Sequence, residues 1–143
     1  MNVSKYTSRS ALALVLLLLV AGLSACATLG AGQARVFFTS PSDRAAVTSP
    51  VKVTMSAENF LVEPAGAVKA GAGHLHIMVD TDCVAAGAVV PSDATHLHYG
   101  KGQLKAELAL SPGTHTLCLQ AADGAHIALA GAGMTQKITL TVK

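Results

Sequence analysis

From Arg35 onward the chain is cut so often by turn chemistry that no amphipathic helical period survives for more than a few residues. The breaks are SPSD, PAG, GAG, PSD, YGKG, SPG and ADG, in which Gly, Pro, Ser or Asp supplies the backbone geometry of a reversal. Between them lie short runs: RVFFT (35–39), VKVTMSA (51–57), HLHIMVD (74–80), LKAELAL (104–110), THTLCLQ (114–120) and QKITLTV (136–142). Weaker candidates lie near Phe60 and at Ile127 to Ala130. Val51, Val53 and Met55 alternate with Lys52, Thr54 and Ser56, and Ile138, Leu140 and Val142 with Lys137, Thr139 and Thr141. Side chains two apart in a strand share a face, so each strand is expected to have one wet and one buried side. The reading is all-β: an immunoglobulin-like two-sheet sandwich of seven or eight strands over residues 35–143, with a small Greek-key barrel as the structural alternative. Of the 143 residues 51% are hydrophobic but only 3% aromatic, so the core must be built mainly from Ala, Val and Leu.

The segment before these strands reads as an address. Lys5 and Arg9 precede the apolar run ALALVLLLLVAG (11–22), which is short for a bilayer span and typical of a secretory signal. Leu23, Ser24, Ala25 and Cys26 then look like the bacterial lipobox, in which the cysteine is acylated and becomes the mature N-terminus. Residues 1–25 are thus a lipoprotein signal peptide, and 26–34 a lipidated tether of small residues. Two acyl chains suffice for stable anchoring, at about 0.8 kcal/mol per buried CH₂. Ala27 after the cysteine resembles the outer-membrane sorting pattern of Gram-negative lipoproteins, so the domain is expected to face the periplasm. Lys5 and Arg9 account for the whole net charge of +2, and only 13% of residues are charged. A basic nucleic-acid footprint is therefore excluded.

With Cys26 assigned to lipid, Cys83 and Cys118 remain. In an oxidising compartment they form a plausible disulfide, closing a loop of about 35 residues. Their wide separation, with no Cys-x-x-Cys, argues against a redox couple or a thiolate metal site.

Six histidines are present, and four form two His-x-His pairs: His74 with His76, and His96 with His98. In a strand such residues stand about 6 to 7 Å apart on one side, so both imidazoles can converge on one ion. Leu75, Ile77 and Val79 form the expected core row, leaving His74, His76, Met78 and Asp80 on the other face. Imidazole suits copper and zinc, and a thioether adds softness that favours Cu(I). The candidate ligands are His74, His76, Met78, His96 and His98. The plainer reading is that histidines at strand ends cap turns or hydrogen-bond to carbonyls, as expected for His115, which alternation aligns with Leu117 and Leu119. His126 follows the Asp123-Gly124 turn, with no role assigned by spacing.

The segments ARVFFTSPSDRAAVTSPVKVTM, GHLHIMVDTD, THLHYGKGQLKAELALSPGTHTLCL and MTQKITLTV resemble a family of small bacterial exported proteins classed as a domain of unknown function. The likeness runs from Ala34 to Lys143. It implies that His74, His76, His96, His98, His115 and His126 occupy positions where the family pattern carries histidine. That pattern continues after His126 with a second histidine in a proline-rich stretch. Here the stretch is IALAGAG, with Leu129 at the aligned position.

No enzyme signature is present. HLHYG superficially resembles the His-x-His-aromatic-Gly stretch of copper/zinc superoxide dismutases, but the later ligands and electrostatic loop of that family are missing. There is no Gly-x-Ser-x-Gly, His-Glu-x-x-His or phosphate loop. Glu58, Glu63 and Glu107 do not suggest paired-carboxylate chemistry. Two readings follow: a lipid-anchored periplasmic module binding Cu or Zn, or a metal-free structural or protein-interaction module of the envelope. Convergence of the His-x-His pairs in space would favour the first.

Overall fold

The computed structural model describes residues 32–143. The segment read as a signal, Cys26 and most of the expected tether lie outside the described residues. Nine strands follow in order: β1 (Arg35–Ser40), β2 (Ala45–Val47), β3 (Val51–Glu58), β4 (Leu61–Val62), β5 (Ala72–Val79), β6 (His96–Tyr99), β7 (Lys105–Leu108), β8 (Gly113–Ala122) and β9 (Thr135–Val142). They form two sheets, with no helix among the described residues. One has the order β1-β3-β7. The other runs β2-β9-β8-β5, and the outer edge of β5 is shared by β4, parallel to it, and β6, antiparallel to it. The chain is therefore an all-β two-sheet sandwich.

The alternation in sequence explains the main layers. Val51, Val53 and Met55 of β3 point inward, as do Ile138, Leu140 and Val142 of β9, while Lys52 and Lys137 are exposed. They meet Val36 and Phe38 of β1, Leu75 and Ile77 of β5, and Leu117, Leu119 and Ala121 of β8 in one core. Each such fully buried aliphatic side chain stabilises the fold by about 1.5–3 kcal/mol. The run near Phe60 becomes β4. The run at Ile127 to Ala130 makes only isolated bridges, Val89 with Ile127 and Ala122 with Ala128. β2 and β6, neither among the runs read from the sequence, bring the strand count to nine; the three residues of β2 pair in parallel with β9 and carry no periodic signal of their own.

The expectation of one wet face per strand fails at β5, which is buried on both sides. Its second face, with that of β8, is covered by the β5–β6 and β8–β9 connections. These two connections bond to each other through Val90 N–H to His126 O (2.8 Å), Gly87 N–H to Ala128 O (2.9 Å) and Ala128 N–H to Ala88 O (2.9 Å). Gln120 holds the first of them by both ends of its amide: Oε1 accepts from Val84 N–H at 2.9 Å and Nε2 donates to Val84 O at 2.7 Å. The Cys83–Cys118 disulfide, with Cα atoms 5.6 Å apart, ties down the same segment. A second small core of Met78, Val90, Cys118, Ala122 and Ala128 forms beneath the cover.

Candidate metal centre

On β5 the residues with even numbers face this covered side, so His74 and His76 project side by side into it, and neither has any exposed surface. β6 runs antiparallel to β5 with His98 directly opposite His76. Their rings stack with centroids 5.0 Å apart and planes at 26°. The fourth imidazole arrives from the β8–β9 turn. There the Asp123 carboxylate accepts the Ala125 and Ile127 N–H groups at 2.8 and 2.9 Å, and the Asp123 carbonyl accepts the His126 N–H at 3.1 Å. This holds His126 at φ +65°, a left-handed backbone that few non-glycine residues adopt. Its ring centroid lies 4.7 Å from that of His74 and 4.8 Å from that of His98.

The ring nitrogens converge. His76 Nε2 is 2.9 Å from His74 Nε2, which is 3.2 Å from His126 Nδ1, and one nitrogen from each of the four rings lies within 4.8 Å of the others. A ring nitrogen carries either one N–H or one lone pair, so His74 Nε2 satisfies only one of its two close neighbours by hydrogen bonding. A cation among four lone pairs would satisfy them all. Four nitrogens bound to a tetrahedral zinc at about 2.05 Å stand about 3.3 Å apart, a spacing these contacts bracket. Neutral nitrogen donors suit Cu and Zn rather than Ca or Mg, which take oxygen.

The electrostatics keep the lone pairs free. Burial, reinforced by the neighbouring His126 and His98 imidazoles and only partly opposed by Asp123, lowers the pKa of His74 to about 4. Burial and the adjoining rings lower that of His76 to about 3. His98 is lowered as well, by burial and then by His126. The Nδ1 atoms of His74 and His76 are buried without a hydrogen-bond partner in the protein. Such orphaned polar atoms cost about 1–3 kcal/mol each.

Among the sequence-selected residues, His74, His76 and His98 come together, and Met78 and His96 stand apart from them. Met78 is packed in the small core with Cys118 and Val90. His96 sits opposite Met78, one same-face step along β6 from His98, with Nδ1 2.9 Å from Asp93 Oδ1. His115 is a structural pin: Nδ1 lies 2.7 Å from Asp80 Oδ2 and Nε2 2.9 Å from Ser111 O. The Asp80 hydrogen bond, and then the Ser111 carbonyl, raise its pKa. Spacing alone did not point to His126 as a partner of the His-x-His pairs, since it lies far along the chain on a turn; only the family pattern marked the position. Leu129, where that pattern has its second histidine, packs against the main core.

Over residues 53–143 the chain matches the family model described as Domain of unknown function (DUF4399), and it belongs to that family. All four clustered histidines fall inside the matched span. No curated protein and no solved structure matches the chain.

Proposed function

We propose that this DUF4399 chain is a metal-binding module of the bacterial envelope, in which His74, His76, His98 and His126 hold one copper or zinc ion. The observation that supports this is the convergence of four imidazole nitrogens within 4.8 Å on a face where the two deepest rings have orphaned nitrogens. Hydrogen bonds among the rings satisfy the His74 Nε2 contacts only in part, whereas a cation between the four lone pairs would engage all of them. Four protein donors complete a tetrahedral shell and leave no position for a reacting water, so the module binds its ion rather than using it for catalysis. Cys26, acylated after signal cleavage, anchors the domain to the membrane, on the periplasmic side of the outer membrane. Nucleic acid is not a partner.

Metal analysis and calorimetry on the tag-free full chain at pH 7, with Zn(II) and Cu(II) in turn, test this reading. Wild type is expected to bind one equivalent. H74A/H76A should abolish stoichiometric binding and H126A should weaken it by about tenfold or more, as removal of a ligand or its support commonly does. H96A should bind like wild type. Absence of stoichiometric binding by wild type would leave the metal-free interaction module as the better account, and undiminished binding by H74A/H76A would refute the four-histidine site.

A further inference from the structure

Gly100 follows the β6 His-x-His pair by two residues, and its backbone does not need to be glycine. It is not among the glycines with positive φ, a group that includes its neighbour Gly102 at +76°. A side chain is excluded for another reason. A Cβ built on Gly100 would lie 2.1 Å from Nε2 and 2.2 Å from Cε1 of His98, far inside van der Waals contact. The His98 ring thus lies on the bare Cα of Gly100. Neither partner is free to yield equally. The Gly100 carbonyl accepts the Ala65 N–H at 3.0 Å, and Lys101 bridges to Pro64, so the backbone is fixed. The His98 ring is the exposed member of the four and can rotate away into solvent.

β6 and β5 are in register from Met78–His96 to Leu75–Tyr99, so Gly100 stands one residue beyond the last rung, toward the His74 end. The space that its missing side chain leaves is where His98 leans in to come within 4.9 Å, centroid to centroid, of His74. We propose that Gly100 is a positioning residue of the metal centre, whose lack of a side chain seats the His98 ring among the other three imidazoles. The consequence for affinity rests on the metal reading above; the seating of the ring does not.

The experiment compares wild type, G100A, H98A and G100A/H98A as full chains, by zinc calorimetry and by ring-proton NOEs in the metal-free state. G100A is expected to bind zinc about 10- to 100-fold more weakly than wild type, matching H98A, and the double variant no more weakly than H98A alone. Without metal, the NOEs between His98 and His76 ring protons should vanish in G100A. If the added methyl lowers thermal stability, deleting the ring in G100A/H98A should restore it relative to G100A. Zinc binding by G100A equal to wild type, an additive loss in the double variant, or His98–His76 NOEs that persist in G100A would each overturn the inference. Should wild type bind no zinc, the metal reading falls and the NOE comparison alone decides the role of Gly100.

Discussion

His76, like His74, is costly to leave without a ligand: it has no exposed surface, an unpartnered Nδ1, and three other imidazoles around it. The cost appears as a pH dependence whose sign is fixed. Histidine in the unfolded chain titrates near 6.5, whereas folding holds His74 to about 4 and His76 to about 3. Between those limits the unfolded state binds more protons. Stability of the metal-free chain is therefore fully present above about pH 6.5 and falls as pH drops through the window below it, by up to roughly 1.4 kcal/mol per pH unit for each ring. His115 acts in the opposite sense. Its raised pKa makes its contribution complete below the unfolded value and lost as pH rises through the folded one. Denaturant melts in chelator at pH 7, 6 and 5 should show the fall, and H74A/H76A should flatten it. An equal slope in that variant would assign the acid sensitivity to other groups. At this scale three of the four rings were legible in sequence, because a His-x-His spacing on a strand dictates a shared face. Met78 shares that face too, but the disulfide beside it turns its end of β5 into an apolar pocket. His126 was not legible as their neighbour because it depends on a tertiary approach set by the Asp123 carboxylate.

Strand by strand, period-two alternation predicted β3 and β9 well, since one face of each meets the core and the other meets water. It misled at β5, where His74, His76 and Met78 look like a polar, wet row and are instead roofed by two connections. A roof of this kind has almost no sequence signature. It is assembled from single backbone bonds, the Gln120 amide and one covalent link. The Cys83–Cys118 bond was legible from cysteine counting; its position over the second face of β5 and β8 was not. Because the cross-link closes a loop of 35 residues, its removal should destabilise the chain by about 3–4 kcal/mol on the chain-entropy model. The loss should also be uneven. In C83S/C118S, amide exchange should accelerate in the segments 80–95 and 123–131 well before it does in β3 and β9, whose bonds are shielded by the main core. Uniform acceleration across all strands would mean that the roof and the sandwich open as one unit.

For the molecule as a whole, the sandwich separates stability from chemistry. The aliphatic core lies between the sheets, while the histidine cluster lies on the far side of the larger sheet, under the roof. Binding at the cluster therefore need not disturb the main core, and a change at the start of the chain need not disturb either. β1 opens at Arg35, with Ala34 already packed against the main core, so an anchor at Cys26 would precede the first strand of the fold. No helix among the described residues is long and apolar enough to cross a membrane. The proposed attachment is through an acylated Cys26. Two or more acyl chains bury enough CH₂ groups to make such attachment stable, at about 0.8 kcal/mol each, and a serine at the same position accepts none. Cys26→Ser should therefore move the protein out of the membrane fraction of expressing cells. The Cys83–Cys118 bond and the unfolding midpoint should match those of wild type, because position 26 lies before the first strand. Both are read on the same preparations, by fractionation and by melting with and without reductant. Retention of the serine variant in washed membranes would refute lipid anchoring at Cys26, whatever the metal experiments return.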